Sequence, residues 1–159
     1  MAVAIYPGSF DPVTMGHLDI IRRSAAIFDM VYVAVATNSS KDPVFSVDQR
    51  LKFLGQATRD VKNVQVITFD GLLVDAANKN NARIIIKGLR AISDFEYEFQ
   101  MALMNKKLGE NVETLFMATN TNYSYLSSSL VKEVARLGGC IRDLVPEVVH
   151  DEIFTQLRG

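Results

Sequence analysis

The fold is decided by a stretch near the amino terminus, YPGSFDPVTMGH, which occupies residues 6–17. It follows an apolar run at residues 2–5 and leads into a helical pattern that begins at Leu18. A strand, a glycine-containing turn and a helix in this order favour phosphate binding, because a helix N-terminus presents backbone N–H groups and a partial positive charge. We expect Gly8 and Gly16 to permit positive φ and a close approach to the ligand. We expect His17 to lie in the first helical turn, facing the anion.

The composition limits the classes of protein to which the chain can belong. Its 159 residues are 48% hydrophobic and 22% charged, with a formal net charge of -1. These values are typical of one globular domain and show no basic excess of the kind that indicates nucleic-acid binding. We therefore expect no nucleic-acid partner, and any anion site must be built locally.

Cysteine and histidine usage points to a reduced environment. Cys140 is the only cysteine, and His17 and His150 are the only histidines, so neither an intrachain disulfide nor a zinc site of soft ligands is expected. The amino terminus has no signal-peptide pattern, and no apolar run approaches the roughly 20 residues that span a bilayer. The sequence predicts a cytoplasmic protein without membrane association.

Short apolar runs rich in β-branched residues recur at residues 3–6, 31–36, 64–69, 83–87 and 114–118, with segments of helical period between most of them. Most of the runs are nearly continuous rather than alternating, which is typical of strands buried on both faces of a parallel sheet. The sequence therefore predicts an α/β fold, a single Rossmann-like open parallel sheet of about five strands with helices on both faces.

Several helices carry start signals. Capping boxes at Ser46 and Ser93, with Gln49 and Glu96 three residues later, predict helix starts, and Pro146 is expected at the first position of a last helix. The predicted apolar faces consist of Leu18, Ile21, Ala25 and Phe28 in the first helix, Phe95, Phe99, Ala102 and Leu103 after Ser93, and Leu130, Val134 and Leu137 after the serines at 127–129.

Polar segments follow four of the predicted strands, at residues 7–17, 37–41, 87–90 and 119–129. In open parallel sheets, ligands bind beyond the carboxyl ends of the strands, where the strand order reverses. We therefore expect these segments to meet at one crevice. Neither a Walker pattern nor a Gly-x-Gly-x-x-Gly fingerprint is present, which argues against a P-loop NTPase and an ordinary dehydrogenase.

Four motifs carry a family resemblance: GSFDP at residues 8–12 with GH at 16–17, KGLR at 87–90, DFEYE at 94–98, and YSYLSSSLVKEV at 123–134. Together they resemble the phosphopantetheine adenylyltransferases of bacterial coenzyme A synthesis. The first motif is shared with nucleotidyltransferases generally, whereas the second and third are more particular to this family. The resemblance covers nearly the whole chain and implies a single nucleotidyltransferase domain over residues 1–159.

The resemblance implies that the phosphate of 4'-phosphopantetheine attacks the α-phosphorus of ATP in line, giving dephospho-coenzyme A and pyrophosphate without a covalent enzyme intermediate. A phosphate monoester has a second pKa of about 6 and is largely ionised at neutral pH, so a general base adds little. The protein would supply positioning and stabilisation of charge on the α-phosphate. The resemblance also implies Mg²⁺ with the nucleotide phosphates, a homohexamer, and inhibition by coenzyme A.

Site residues follow from the resemblance position by position. His17 matches the catalytic residue that contacts ATP and stabilises the transition state. Lys87 and Tyr123 stand where relatives often carry arginine and tryptophan, and Ser9 stands where some carry threonine. The ATP-binding positions are Ser9, Phe10, His17, Gly88, Leu89, Arg90, Glu98, Tyr123, Ser124, Tyr125, Leu126, Ser127, Ser128 and Ser129. The phosphopantetheine-binding positions are Ser9, Lys41, Leu73 and Lys87.

Three other hypotheses remain from the residues alone. The chain could be another nucleotidyltransferase of the same fold, a non-catalytic sensor of adenine nucleotide or coenzyme A, or a structural domain whose glycines serve only turns. Each site residue also has a structural interpretation: His17 could cap a helix, Lys41 could be a solvated lysine, and Leu73 could belong to the core. Substrate-dependent pyrophosphate release and equilibrium binding of ATP separate these hypotheses.

Overall fold

A computed structural model of the chain describes residues 1–38, 42–91 and 95–159. Short 3-10 turns at Thr121–Tyr123 and Glu147–Val149 precede the last two helices. The elements in chain order are β1 (Val3–Gly8), α1 (Met15–Ile27), β2 (Met30–Ala36), α2 (Val47–Ala57), β3 (Val64–Phe69), α3 (Leu73–Lys79), β4 (Ile84–Leu89), α4 (Phe95–Leu108), β5 (Glu113–Ala118), α5 (Ser128–Arg136) and α6 (His150–Arg158).

All five strands are parallel, in the order β3-β2-β1-β4-β5. The chain builds outward from β1 to β3 and then crosses back to place β4 on the other side of β1, so the strand order reverses between β1 and β4. The ladder between β1 and β2 joins six pairs of residues, whereas Ala4 and Ile5 alone pair with β4. β1 and β4 are therefore not paired with each other at their carboxyl ends, where a crevice opens.

The three inner strands β2, β1 and β4 contain the buried residues of the sheet, as their continuous apolar runs predict, whereas the edge strands β3 and β5 contain none. On β1, Ala4 and Tyr6 belong to a large apolar cluster, while Val3 and Ile5 belong to a smaller one on the opposite face. The large cluster includes residues of α1, α2, α5 and α6, and the small one includes residues of α3. The predicted Rossmann-like arrangement with helices on both faces is confirmed.

The predicted packing of α4 is wrong. Phe95, Phe99 and Leu103 are 49%, 48% and 57% exposed, whereas Asn105, which the periodicity places on the polar face, is buried. Helical periodicity identifies an apolar stripe but does not say what covers it. In α4 these residues stay about half exposed, although the ring of Phe95 contacts that of Phe116 in β5, with centroids 5.6 Å apart. The capping box predicted at Ser93 lies outside the described residues.

Two further predictions of helix geometry need correction. The buried stripe of α5 is Val131 and Ala135, one position along from the predicted one, and Leu137 is an 82% exposed cap beyond the last turn. Pro146 caps the 3-10 turn, and α6 itself begins at His150.

The sequence analysis also missed α3, a seven-residue helix whose start at Leu72 has no side-chain cap. Within the described ranges, no helix has the length and apolar character needed to cross a membrane.

Candidate active site

A cleft of about 300 Å³ lies at the carboxyl ends of β1 and β4, at the reversal of strand order. Three of the four polar segments predicted to converge contribute to it. In the segment after β2, Thr37 and Asn38 do not line the cleft, and residues 39–41 lie outside the described residues. The lining residues are Tyr6, Pro7, Thr14, Gly16, His17, Ile20, Lys87, Gly88, Arg90, Glu98, Thr119, Leu126, Ser127, Ser128 and Ser129.

A larger cleft of about 680 Å³ runs beside the edge strand β3, between Thr37, Phe69 and the α3 residues Asp75 and Lys79. It contains none of the predicted site residues that the structure describes. The smaller cleft is the candidate active site, because it combines cationic side chains, a helix N-terminus and a histidine at the switch point of the sheet.

His17 is fixed by the way α1 begins. Thr14 is the N-cap of the helix, and its side-chain oxygen accepts from the backbone N–H of His17 at 3.3 Å. In return, the backbone N–H of Thr14 donates to Nδ1 of the His17 ring at 3.0 Å. This is a capping box with histidine in the place usually taken by Glu or Gln. Since Nδ1 accepts a hydrogen bond, the proton of the neutral ring is assigned to Nε2.

The surroundings of His17 keep its ring neutral. Burial and, to a smaller extent, the positive charge of Arg90 together lower the pKa of His17 from 6.5 to about 4. Because the folded-state pKa lies below the unfolded one, the contribution of His17 to stability is complete above about pH 6.5. It is lost as the pH falls through about 4. At neutral pH the ring is an uncharged imidazole. It can donate a hydrogen bond from Nε2, but it is not an imidazolium and cannot act as a general acid.

Phe10 supports the histidine from behind. Its side chain is only 2% exposed, and its ring packs edge-on against His17 with centroids 4.9 Å apart. A Cβ at Gly8 would lie 3.1 Å from the Phe10 ring, so this glycine makes room for the ring. Among the described residues, positive φ occurs at Phe10 itself, at 49°, and at Asn81, Gly71 and Gly138, so its predicted use at Gly8 and Gly16 is wrong.

The charged side of the cleft contains two cations and a carboxylate. Lys87 of β4 forms an ion pair with Glu98 of α4, with Nζ and Oε2 3.4 Å apart. Arg90 donates from Nη1 to the carbonyl of Leu126 at 2.8 Å, which ties the end of β4 to the turn before α5. Both partners of the ion pair are about 28% exposed and therefore accessible to a ligand.

The serines before and at the start of α5 differ in their engagement. Ser127 is the N-cap and accepts from the backbone N–H of Leu130 at 3.1 Å, while the hydroxyl of Ser128 donates to the carbonyl of Pro12 at 2.7 Å. Ser129 is exposed and lines the cleft. The helix start is therefore anchored to the loop after β1.

Several predicted residues lie outside the cleft lining. Ser9 is exposed in the loop after β1, and Leu73 is half-buried against the smaller core cluster at the start of α3. Tyr123 packs against the larger core cluster, and Tyr125 is 53% exposed. Leu89 and Ser124 are likewise absent from the lining, and Lys41 lies outside the described residues.

The cleft also contains residues that the sequence analysis missed. Thr14, Ile20 and Thr119 line it. The signal for Thr14 was present, because a threonine three residues before His17 is a capping pattern. Asp11 lies in the loop after β1, and Arg50 is bonded to that loop. The sequence did not indicate a structural role for either residue, since nothing in a sequence marks an arginine as buried.

The part of the chain that the structure describes contains no group of three or more His, Cys, Asp or Glu residues able to hold a metal ion. Among the described residues of the cleft lining, Glu98 is the one carboxylate. This set fits an ion that arrives on nucleotide phosphates and keeps several waters better than a resident metal.

Comparisons with known proteins find a matching family and relatives that span nearly the whole chain. The sequence model of the cytidylyltransferase-like family matches residues 5–134. A phosphopantetheine adenylyltransferase of Caldanaerobacter subterraneus is 57% identical over 158 residues, covering 99% of both chains. A phosphopantetheine adenylyltransferase of Clostridium tetani is 56% identical over 153 residues, covering 96% of both chains.

The fold has structural neighbours at much lower identity. A bifunctional NMN adenylyltransferase/ADP ribose pyrophosphatase from Francisella tularensis superposes with a TM-score of 0.74 at 11% identity. The match covers 99% of this chain and 50% of that one. At this identity the likeness concerns the fold alone.

Proposed function

We propose, from the premise that this chain belongs to the phosphopantetheine adenylyltransferases within the cytidylyltransferase-like family, that the cleft between β1 and β4 is the site of adenylyl transfer. The enzyme transfers the adenylyl group of ATP to 4'-phosphopantetheine and releases pyrophosphate. The observation that carries the assignment of the site is the meeting of His17, Lys87, Arg90 and the start of α5 in that one cleft.

His17 acts by stabilising charge. Its low pKa keeps the ring neutral, and because Nδ1 accepts from the backbone N–H of Thr14, the ring proton lies on Nε2 and can be donated in a hydrogen bond. A donor held by a helix cap and a packed aromatic ring needs no reorganisation when charge develops on the α-phosphate. The attacking phosphate oxygen is already ionised, so the step requires no proton transfer to the protein. The oxygen attacks phosphorus as the bond to pyrophosphate breaks, and pyrophosphate leaves with the electron pair.

The two substrates divide the remaining residues between them. Arg90, Gly88 and the serines at 127–129 are proposed to hold ATP, and Lys87 with Lys41, Ser9 and Leu73 to hold the acceptor. The ion pair of Lys87 with Glu98 joins one residue from each set. An acceptor phosphate that reaches Lys87 would compete with the Glu98 carboxylate, which leaves Glu98 to the nucleotide.

Mg²⁺ is proposed to accompany the nucleotide. Bound to the phosphates, it would neutralise part of their charge. Mg²⁺ prefers oxygen ligands, and the carboxylate of Glu98 in the cleft lining could supply one. The chain's own contribution remains the orientation of the phosphates by Arg90 and the helix start.

Self-association is proposed from the exposed stripe of α4. Phe95, Phe99, Leu103 and Met104 are each about half exposed on one helix, with values from 48% to 57%. Contiguous apolar surface of this kind marks protein interfaces. The family resemblance sets the expected assembly as a homohexamer, with coenzyme A as a feedback inhibitor that shares the pantetheine site.

A cytoplasmic location fits the use of ATP and the single free Cys140.

A substrate-dependence assay tests the proposed function. Purified protein with Mg²⁺ and ATP should release pyrophosphate when 4'-phosphopantetheine is added, and dephospho-coenzyme A should appear in equal amount. Nicotinamide mononucleotide as acceptor and CTP as donor are the matched controls. Equal turnover with nicotinamide mononucleotide, or turnover with CTP alone, would contradict the assignment.

A further inference from the structure

We infer that Arg50 and Asp11 are positioning residues of the transfer reaction, which hold Phe10 in its left-handed backbone conformation and thereby set its ring against His17. Neither side chain lines the cleft. The inference rests on the proposed role of His17 and adds to it the means by which His17 is held in place.

The conformation of Phe10 needs an external restraint. Its φ is 49°, a region in which the Cβ of an ordinary residue is crowded and which residues other than glycine occupy at a cost in free energy. Such a conformation persists where the surrounding structure holds it in place. The restraints on Phe10 are therefore to be sought on the residues that precede and follow it.

Arg50 supplies the restraint on the preceding residue. Its side chain is 1% exposed and forms no ion pair with any described residue. Instead, Nη1 donates to the carbonyls of Ser9 at 2.9 Å and Ala36 at 3.3 Å, and Nε donates to the carbonyl of Phe45 at 3.1 Å. One guanidinium thus joins the loop after β1 to the end of β2 and to the segment before α2. Its planar fork of donors is suited to several carbonyls at once.

Asp11 supplies the restraint on the following residue. Its carboxylate accepts from the backbone N–H groups of Val44 at 3.0 Å and Phe45 at 2.8 Å. It also forms an ion pair with Lys132 of α5 at 3.1 Å, and the Asp11 side chain is 8% exposed. Arg50 and Asp11 therefore both bind the segment before α2, Arg50 through the carbonyl of Phe45 and Asp11 through the backbone N–H groups of Val44 and Phe45.

The consequence reaches His17 through Phe10. With Ser9 and Asp11 both fixed, the Phe10 ring is held edge-on to His17 and also packs against Tyr6, with ring centroids 5.5 Å apart. This packing excludes water from one side of the imidazole, and burial is the main cause of its lowered pKa. The other charged or titratable groups around the ring are Tyr6 of β1, Arg90 and Lys87 at the end of β4, and Glu98 of α4.

The test is an NMR titration of the His17 ring in the full-length, unliganded protein. The chain has two histidines, so the resonance missing from the spectrum of a His17→Ala variant is that of His17. In Arg50→Met and Asp11→Asn, the midpoint should move up from about 4 toward the ordinary value of 6.5. Pyrophosphate release should fall about 10²-fold in both variants, as expected for a misplaced catalytic group.

The choice of variants separates positioning from simple charge effects. Removing the negative charge of Asp11 would by itself lower the His17 pKa, whereas loss of the clamp raises it. Arg50→Lys keeps the charge but cannot reach three carbonyls. Its His17 midpoint should therefore lie between those of the unmodified protein and Arg50→Met. Lys52→Met removes a positive charge from the same helix and breaks an exposed ion pair with Glu152, and it should change neither readout.

Two results would overturn the inference. A midpoint in Asp11→Asn that stays at about 4 or falls would show that the clamp does not act on His17. Turnover at the level of the unmodified protein in folded Asp11→Asn and Arg50→Lys would show that it is not needed for transfer. If Arg50→Met does not fold, these two milder variants decide. The titration requires no turnover, so a failure of the proposed function would leave this arm intact.

Discussion

On the α1 side of the cleft, the polar groups form hydrogen bonds within a packed part of the chain. On the α4 side, the charged groups form an ion pair that is partly exposed to solvent. Thr14 and His17 satisfy each other through the capping box, and Phe10 fills the volume behind them. On the other side Lys87 and Glu98 form a partly exposed ion pair, and the helix that carries Glu98 exposes its apolar stripe. One side is complete before ligands bind, and the other is completed by ligands and by a partner surface.

The difference separates two tasks of the enzyme. Charge stabilisation in the transition state depends on donors that do not move, which suits the bonded α1 side. Binding two anionic substrates and releasing two anionic products suits groups that exchange partners, as an ion pair with 28% exposed side chains can. The comparison therefore predicts that changes on the α1 side act on turnover and stability, and that changes along α4 act on binding and assembly.

The largest effect is expected at His17. His17→Ala should lower kcat about 10²-fold to 10³-fold, the range for removal of one donor to a developing oxyanion, and should change the Kd of ATP much less. Stopped-flow or coupled pyrophosphate assays with equilibrium ATP binding measure the two quantities.

His17→Gln is the matched control, because glutamine is an ordinary third residue of a capping box and preserves the start of α1. It should unfold at nearly the same denaturant concentration as the unmodified protein while losing turnover like His17→Ala. Unchanged turnover in either variant would remove His17 from the mechanism and end the distinction between the two sides.

A smaller effect is expected at Gly8. In Gly8→Ala the new Cβ would lie 3.1 Å from the ring carbons of Phe10, which is itself enclosed by the core, so the ring must shift. Overpacking of this kind should cost about 1–3 kcal/mol in the free energy of unfolding. Chemical denaturation monitored by circular dichroism measures it.

Gly55→Ala is the control for glycine replacement as such. Gly55 lies inside α2, and a Cβ there meets nothing within 4 Å. Alanine should therefore stabilise the protein by about 0.5–1 kcal/mol, the usual difference between the two residues in a helix. Equal effects at both glycines would show that the α1 side is not tightly packed.

The smallest effect on the folded chain is expected at Leu103. Leu103→Glu should leave the free energy of unfolding of the single chain within about 0.5 kcal/mol, because the side chain is 57% exposed. It should nevertheless reduce the molar mass seen by light scattering. Leu137→Glu, at an apolar residue 82% exposed beyond α5, should leave the molar mass unchanged. Loss of assembly in both variants would point to general solubility rather than to α4.

The sequence predicted the sheet well because its inner strands are largely buried, which leaves continuous apolar runs such as residues 31–36. It predicted the meeting of His17, Lys87, Arg90 and Glu98 through the switch-point rule and the family motifs. The prediction of a buried apolar face on α4 was wrong, because helical periodicity does not show which surface packs against a helix. The sequence also gave no sign of Arg50, whose partners are backbone carbonyls from three separate segments.

The two-residue ladder between β1 and β4 has a consequence for how the molecule opens and folds. It divides the sheet into a part of three strands, β3-β2-β1, and a part of two strands, β4-β5. Neighbouring strands within each part pair along six residues. The seam between the two parts, formed by the β1–β4 ladder, joins positions about 80 residues apart in the chain. Contacts so distant in sequence require a large loop to close, and weakly paired regions exchange their amide hydrogens through local opening. Because the cleft sits on this seam, a nucleotide bound there would bridge the two parts. We expect it to slow hydrogen exchange in β4 and β5 more than in β2 and β3.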